Sequence, residues 1–178
     1  MQSTSQHYDE AIAICKDIFL KKMNDYGTAW RNLRPKSLTD QIFIKAQRIK
    51  SIEEKGIQKI SDAINGEYIG IINYCIIALI QIELYDDARF DIPYNEVEGL
   101  YNKYIIQTKQ LMEDKNHDYG EAWRDMRMSS ITDLILMKVF RVKQIEDNEG
   151  KTSISEGVDA NYMDMINYSV FALIKCKN

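Results

Sequence analysis

The sequence Asp25-Tyr26-Gly27-Thr28-Ala29-Trp30-Arg31 returns as Asp118-Tyr119-Gly120-Glu121-Ala122-Trp123-Arg124, so the chain carries one seven-residue motif twice. An offset of 93 residues, the separation of Asp25 from Asp118, aligns the two motifs. At this offset, 20 of the 49 residue pairs between 8–56 and 101–149 are identical. One additional residue in the second copy then shifts the offset to 94, which aligns Asn73-Tyr74 with Asn167-Tyr168. Self-similarity of this extent indicates a tandem duplication.

The duplication divides the chain into a first repeat at 1–83, a linker at 84–100 and a second repeat at 101–178. In three segments of each repeat, apolar residues recur with the i, i+3, i+4, i+7 spacing of an amphipathic helix. The second segment of the first repeat is expected to begin near 37–40, with Ser37 or Thr39 as its N-cap. The third segment spans about 61–84 in the first repeat and begins near Ser155 in the second.

The predicted fold class is therefore all-α, a tandem duplication of a three-helix unit. A unit of about eighty residues is small to be stable alone. The two repeats are expected to pack against each other as a helical bundle with a pseudo-twofold axis. A homodimer of the whole chain would bury further surface.

The composition favours a packed helical protein. Apolar residues make up 45% of the 178 residues, and only two prolines and eight glycines interrupt the chain. The formal net charge is −4 and the pI is about 5.3. These totals do not provide the basic field of a generic surface for duplex nucleic acid, although a local basic patch is compatible with them.

Cysteine usage and the absence of a leader pattern predict a cytoplasmic protein. Cys15, Cys75 and Cys176 are odd in number and far apart, so we expect reduced core residues rather than disulfides or zinc ligands. The polar segment 1–10 lacks the layout of a signal peptide. The most apolar run, 69–82, is too short to span a bilayer, so we expect no membrane insertion.

The repeated motif supports two interpretations. In the structural one, the aspartate caps a short helix, with Glu121 completing a capping box in the second repeat, and the tryptophan anchors the turn in the core. In the functional one, the tyrosine and tryptophan rings stack on a base while the arginine reaches a phosphate. The residues concerned are Asp25, Tyr26, Trp30 and Arg31 in the first repeat and Asp118, Tyr119, Trp123 and Arg124 in the second.

Lys45 and Lys138 occupy equivalent positions inside the apolar stripe of the second helix of each repeat. A lysine there is costly unless its ammonium meets a carboxylate, a phosphate or water. The alternative is that the side chain extends along the helix edge to solvent. Arg48 and Arg141 follow about one turn later on the same side, so two cations in each repeat could meet one anion.

Polar side chains interrupt the apolar third helix of both repeats. Inside an apolar helix such groups need partners. They either form hydrogen bonds that fix the register of the helix, or they bind a cation or a sugar hydroxyl. They are Asp164, Asn167 and Tyr168 in the second repeat and Glu67, Asn73 and Tyr74 in the first, where Gly70 stands in place of Asp164.

Together these motifs resemble those of the nucleotide modification associated domain 1 family. The shared elements are Lys-x-x-Asp-Tyr-Gly-x-Ala-Trp-Arg, then Ser-x-Thr-Asp-x-x-x-x-Lys-x-x-Arg, then Asp-x-x-Asn-Tyr, and the resemblance covers nearly the whole chain, once per repeat. It implies a context of nucleotide or DNA-base modification. A nucleotide or another phosphate-bearing small molecule is the partner that such a context implies.

The third helix more distantly resembles that of the MazG-type all-α nucleoside triphosphate pyrophosphohydrolases. Those enzymes bind magnesium with a Glu-Glu-x-x-Glu helix and a Glu-x-x-Asp helix. The likeness implies Mg²⁺ as cofactor, with Glu67 and Asp164 as its ligands in a site composed from both repeats. The second helix departs from the pattern, because Asp40, Lys45 and Arg48 stand where the Glu-Glu-x-x-Glu sequence would be.

Two functions follow from these residues. The first is a nucleotide-binding or nucleotide-processing protein, in which the lysine and arginine pairs hold a phosphate and any catalysis is magnesium-assisted attack of water on a phosphoanhydride. The alternative is a non-catalytic helical module that binds a protein partner. In that case Lys45 and Lys138 are ion-paired with acids such as Asp40, Glu67 or Asp164, and the bundle exposes an apolar face.

Overall fold

The computed structural model describes residues 3–56, 61–152 and 157–177, and it confirms the predicted all-α class with three helices in each repeat. No strand occurs in these three segments. A short 3-10 turn follows the first helix of each repeat, at Ala29–Asn32 and at Ala122–Asp125. The long helices are α1 (Thr4–Tyr26), α2 (Pro35–Lys55), α3 (Ser61–Glu83), α4 (Tyr94–Tyr119), α5 (Met128–Asp147) and α6 (Val158–Lys177).

Two of the sequence predictions concern where the helices of the second repeat begin. The end of the predicted linker, 94–100, belongs to α4, because that helix begins directly after Pro93. The predicted start of the last helix at Ser155 lies outside the described residues.

The glycine of each motif ends the first helix of its repeat. Gly27 follows α1 with φ +58°, and Gly120 follows α4 with φ +59°. This backbone conformation carries no steric penalty only for glycine. A side chain at either position would meet no neighbouring atom, so the backbone angle rather than close packing requires the residue.

The predicted helix caps were wrong. The helix α2 begins two residues before Ser37, at Pro35, and Arg34 precedes it without a side-chain cap. Proline favours the first turn because its missing N–H would have no partner there. Thr39 therefore lies one turn inside α2, and its hydroxyl is used in a contact with the second repeat described below. Asp118 lies inside α4 and forms no capping box with Glu121. Glu121 precedes the 3-10 turn of the second repeat, and its side chain forms no capping hydrogen bond.

The two repeats pack along their second and third helices. The helices α3 and α6 lie against each other at the centre, α2 and α5 pack on them and on each other, and α1 and α4 cover the remaining side. Cys15 and Cys75 are buried free thiols, as predicted, whereas Cys176 is exposed. The resulting core is continuous across both repeats.

The central position of α3 accounts for its apolar composition. The 69–82 run lies within a longer helix, and the stretch Ala63–Glu83 is long and apolar enough to cross a membrane by length and composition. In the bundle, 56% of the most apolar part of this helix is buried inside the protein. A buried core helix has the same composition as a membrane span, so burial is sufficient to explain the sequence.

Two reciprocal hydrogen bonds join the repeats at equivalent positions. The Tyr8 hydroxyl donates to Asn167 Oδ1 at 2.8 Å, and the Tyr101 hydroxyl donates to Asn73 Oδ1 at 2.9 Å. Burial raises the pKa of both tyrosines far above the ordinary value, so both remain donors. Each asparagine also donates Nδ2 to the first helix of its own repeat, at the carbonyls of Cys15 and Thr108. The asparagines therefore fix the register of the helices, as the structural interpretation predicted.

A second pair of equivalent contacts clamps α2 to α5. Thr39 Oγ1 lies 2.5 Å from Glu146 Oε1 and 3.1 Å from the Tyr162 hydroxyl. The equivalent Thr132 Oγ1 lies 2.5 Å from Glu53 Oε1 and 3.1 Å from the Tyr68 hydroxyl. In each cluster the threonine belongs to one repeat and its two partners belong to the other. The two clusters therefore tie the second helix of each repeat to the opposite repeat.

Removing one cross-repeat tyrosine hydroxyl will destabilise the fold. Tyr8→Phe or Tyr101→Phe leaves a buried asparagine oxygen without its donor, which costs about 1–3 kcal/mol. Urea denaturation followed by circular dichroism measures the free energy of unfolding. The control is Tyr85→Phe, at a tyrosine that is 80% exposed, which is expected to change that free energy by less than about 0.5 kcal/mol. Equal stabilities of all three variants would contradict the structural role of the buried pairs.

The half-buried glutamates of these two clusters predict a pH dependence of stability. Desolvation by burial raises the pKa of Glu53 and Glu146 above the ordinary value of 4.5. A raised folded-state pKa means that the folded protein binds these protons more tightly than the unfolded chain. Their contribution to the free energy of unfolding is therefore complete below pH 4.5 and is lost as the pH rises toward the raised pKa.

A variant that cannot titrate at these two positions tests the predicted direction of the pH dependence. The double variant Glu53→Gln/Glu146→Gln keeps an acceptor for each threonine, and it should gain stability relative to the wild type as the pH is raised from 4.5 to 7. Urea denaturation across this range measures the difference. A difference that is independent of pH would contradict the assignment.

Candidate functional site

A cavity of about 580 Å³ lies in the first repeat, between the end of α1, the 3-10 turn and α3. The motif contributes Tyr26, Gly27, Ala29 and Trp30 to its wall. Further wall residues that the sequence analysis singled out are Lys45, Asn73 and Tyr74. The structure thus brings five predicted substrate-binding side chains to one concave surface, namely Tyr26, Trp30, Lys45, Asn73 and Tyr74.

Two lysines supply the positive charge of this cavity. Lys22 projects from the exposed last turn but one of α1 and forms no salt bridge with any residue in 3–56, 61–152 or 157–177. Lys45 is half-buried, lies 5.7 Å from the centre of the Tyr74 ring, and reaches Glu67 only at 3.5 Å. Arg48 holds the other oxygen of Glu67 at 2.6 Å. Lys45 and Arg48 thus meet at one carboxylate of the protein, which is the ion pair that the alternative interpretation of Lys45 predicts.

Gly70 allows Lys45 to cross α3 at this point. A Cβ atom at Gly70 would lie 2.8 Å from Lys45 Cδ and 3.0 Å from its Nζ. In the sequence, Gly70 marks only the position of a missing acid. In the structure it is the position at which the lysine chain rests on the backbone of α3.

The equivalent lysine pair of the second repeat is closed by a carboxylate. Asp164 lies at the position of Gly70, and its Oδ2 is 2.8 Å from Lys138 Nζ while its Oδ1 is 2.6 Å from Lys115 Nζ. Lys115 is the counterpart of Lys22. Asp164 and Lys138 are only 4% and 9% exposed, so this is a buried ion pair. Both charges can be buried because each is in direct contact with a group of opposite charge.

The tryptophans of the two motifs also differ in their surroundings. The Trp123 indole stacks on the Phe171 ring with the centroids 4.2 Å apart and the planes 4° from parallel. The counterpart of Phe171 is Ile77, a residue of the first-repeat cavity wall. Trp30 is consequently only partly buried, whereas Trp123 is buried. The predicted core anchor is thus complete in the second repeat only.

The motif arginines contact segments outside the cavity: Arg31 contacts the linker and Arg124 contacts the first repeat. Arg31 donates to the linker carbonyls of Asp87 at 2.6 Å and Arg89 at 3.1 Å, just before α4. Arg124 donates to Thr4 Oγ1 at 2.6 Å, at the start of α1. That these arginines reach a phosphate stays a prediction. In the structure the guanidinium group of Arg31 is bound by the linker, and that of Arg124 is bound at the start of α1.

A residue that the sequence analysis missed holds the first motif turn. The Gln81 side-chain amide donates to the carbonyls of Trp30, Arg31 and Leu33. Lys175, its counterpart, donates to the Arg124 carbonyl at 2.5 Å. The aligned copies carry different residue types here, so no identity marked the position.

The remaining predicted residues lie apart from the cavity or are occupied. Asp25 and Asp118 are exposed, and Arg141 lies on the outer surface of α5. Tyr119, the counterpart of Tyr26, is 77% exposed. The amides of Asn73 and Asn167 are already hydrogen-bonded at both ends, as described above. Burial raises the pKa of Tyr168, with a smaller contribution from the nearby Asp164.

The implied magnesium site does not fit the donor groups. Glu67 is neutralised by Lys45 and Arg48, and Asp164 by Lys115 and Lys138, in separate repeats. Among the described residues, no group of three or more aspartate, glutamate, histidine or cysteine side chains is placed to hold a metal ion. Mg²⁺ requires several oxygen ligands in near-octahedral geometry. The composite site from Glu67 and Asp164 is therefore not assembled.

Comparison with known proteins agrees with the duplicated architecture. The family model described as nucleotide modification associated domain 1 matches the chain twice, at residues 22–82 and 115–176. The chain belongs to this family. Each nucleotide modification associated domain 1 region begins at the cavity lysine or its counterpart, Lys22 or Lys115, and ends in the third helix of its repeat. No curated protein and no solved structure matches the chain.

The matched regions contain both the cavity of the first repeat and the ion pair of the second. The family description links the domain to nucleotide modification. The description names no reaction and no site residue, so the chemistry of the site rests on the geometry of the two domains.

Loss of the buried carboxylate in the second domain will destabilise the protein strongly. Asp164→Asn leaves the Lys138 ammonium without its charged partner inside the bundle, and breaking such a pair costs about 3–5 kcal/mol. The matched change in the first domain, Glu67→Gln, should cost clearly less, because its partners Lys45 and Arg48 have 26% and 59% of their side chains exposed. Thermal and urea denaturation compare the variants. Equal losses would contradict the different burial of the two sites.

Proposed function

We propose that the protein binds a nucleotide in the cavity of the first repeat. The observation that carries this proposal is the meeting of aromatic side chains and two lysines around one concave space. Volumes of roughly 300–1,000 Å³ are usual for small-molecule sites, and this cavity of about 580 Å³ falls within that range. The family context of nucleotide modification agrees with such a ligand.

The two sides of the cavity suit the two parts of a nucleotide. Trp30, Tyr26 and Tyr74 offer ring faces and edges against which a base can pack. Lys22 and Lys45 offer ammonium groups for a phosphate. Lys45 is well suited to this role because its contact with Glu67 is long, at 3.5 Å, and leaves donor capacity on the ammonium.

Binding without hydrolysis is the function that the geometry favours. A pyrophosphohydrolase of the MazG type needs acidic side chains that hold magnesium beside the phosphoanhydride. The described residues that line this cavity include no aspartate, glutamate or histidine. The proposal is therefore a nucleotide-binding protein in the context of nucleotide modification, and no metal-dependent step is assigned to it.

Isothermal titration calorimetry and tryptophan fluorescence test the proposal directly. A panel of ribonucleotides and deoxyribonucleotides should contain at least one ligand that binds saturably and changes the Trp30 emission. Lys45→Gln should weaken that binding about tenfold or more, because a charge-assisted hydrogen bond of about 1.5–3 kcal/mol is lost. The control is Lys21→Gln, at an exposed lysine paired with Asp17, which should leave the affinity unchanged. No binding by any member of the panel would contradict the proposal.

A second candidate function rests on an exposed apolar patch on α2 and α5. Ile44, Met137 and Phe140 are 55%, 38% and 52% exposed, and Ile44 and Met137 are equivalent positions of the two repeats. A patch that includes equivalent positions of both repeats suits a symmetric contact between two copies of the chain. Light scattering of the wild type and of Met137→Lys tests this candidate, which requires a dimer that the substitution dissociates.

A further inference from the structure

The residues around the cavity of the first repeat differ from their counterparts in the second repeat, where a carboxylate lies between two lysines. In the second repeat, the carboxylate of Asp164 bridges two lysines with one oxygen each, at 2.6 and 2.8 Å. In the first repeat, the equivalent lysines are both present as Lys22 and Lys45, while Gly70 offers no side chain between them. An anion with two or more oxygens can bridge this pair in the same way.

The aromatic half of the cavity repeats this relationship. In the second repeat, the Phe171 ring covers the Trp123 indole in a nearly parallel stack. In the first repeat, Ile77 replaces the phenylalanine, and both Ile77 and Trp30 line the cavity. A planar ring of the size of a nucleobase can stack on Trp30 as Phe171 stacks on Trp123. At Gly70 and Ile77 the first repeat thus lacks the carboxylate and the aromatic ring that the second repeat carries at the equivalent positions.

We propose that Asp164 and Phe171 of the second repeat occupy the positions that the phosphate and the base of a ligand occupy in the first repeat. The protein then binds one nucleoside monophosphate per chain, in the first repeat only, with the base against Trp30 and the phosphate between Lys22 and Lys45. In the second repeat, Phe171 and Asp164 fill the equivalent space, so that repeat binds no ligand and contributes to the stability of the fold. This inference rests on the proposed nucleotide binding and narrows it to one site and one class of nucleotide.

The charge of the site sets the number of phosphates. Lys22 and Lys45 are the cationic side chains among the described residues that line the cavity. Arg48 offsets the charge of Glu67, which it contacts at 2.6 Å. A monophosphate carries a charge of about −1.5 to −2 at neutral pH, which the two ammonium groups of Lys22 and Lys45 then balance. A triphosphate would bring further negative charge without further cations in the cavity. The monophosphate is therefore the class that these residues match.

The exchange of residues between the repeats is sterically feasible. At Gly70 a new Cβ would meet only the flexible end of Lys45, which can shift. The second repeat already accommodates an aspartate beside a lysine at the equivalent position. Gly70→Asp/Ile77→Phe should therefore fold and should fill the cavity with the groups that the second repeat carries.

Calorimetric titration with nucleoside monophosphates, nucleosides and nucleoside triphosphates tests the inference. In the wild type we expect one monophosphate per chain, and the nucleoside without phosphate should bind at least about tenfold more weakly. Gly70→Asp/Ile77→Phe should lose at least about tenfold in affinity while keeping the helical circular dichroism of the wild type. Unchanged affinity in this folded variant, or a triphosphate that binds tenfold more tightly than the monophosphate, would overturn the inference while leaving nucleotide binding intact.

The reverse exchange provides an independent test. Asp164→Gly/Phe171→Ile should open the second repeat and raise the stoichiometry from one to two monophosphates per chain. This variant loses a buried carboxylate, so inorganic phosphate should raise its melting temperature by more than it raises that of the wild type. Two ligands per chain in the wild type, or one ligand and no phosphate-dependent shift in the folded variant, would overturn the inference. A wild type that binds no nucleotide refutes the proposed function itself.

Discussion

The need to satisfy buried tyrosine hydroxyls organises this protein. Tyr8 and Tyr101 are completely buried, and each finds its acceptor on an asparagine of the opposite repeat. A buried polar group without a partner is costly, so neither repeat can withdraw without leaving two such groups. The Thr39 and Thr132 clusters impose the same condition on α2 and α5. These cross-repeat contacts fix how the two repeats pack against each other.

Under the proposed function, the duplication separates two demands that a single copy would have to meet together. A strong ion pair between Asp164 and Lys138 and a stacked tryptophan stabilise the second repeat. A binding cavity needs the opposite, a lysine with donor capacity and an accessible ring. Lys45 and Trp30 meet these requirements in the first repeat, where the cross-repeat contacts supply the rigidity. Lost stability at a binding surface is commonly compensated elsewhere in the fold.

Part of the candidate site could be predicted from the sequence, because the repeat marks it. Lys45 was recognised as a charge in an apolar stripe, and Trp30 as part of the motif. The sequence shows Lys22 only as the first residue of the family motif. It does not reveal Ile77, because the two copies differ at this position and the alignment highlights only identical residues. The cap at Thr39 was misplaced for another reason. A threonine near a helix start suits an N-cap, but here its hydroxyl binds Glu146 of the other repeat, which no local pattern reveals.

The sequence by itself determined the duplication, the helix periodicity and the glycine turn that ends the first helix of each repeat, because these depend on residues close together in the chain. Only the tertiary structure decided that Arg31 clamps the linker, that Asp164 closes the lysine pair of its own repeat, and that the first repeat keeps a cavity. The physical reason is that the partner of a buried charge or hydroxyl is chosen by distance in the folded bundle. The residues that meet there are separated by up to 159 positions in sequence.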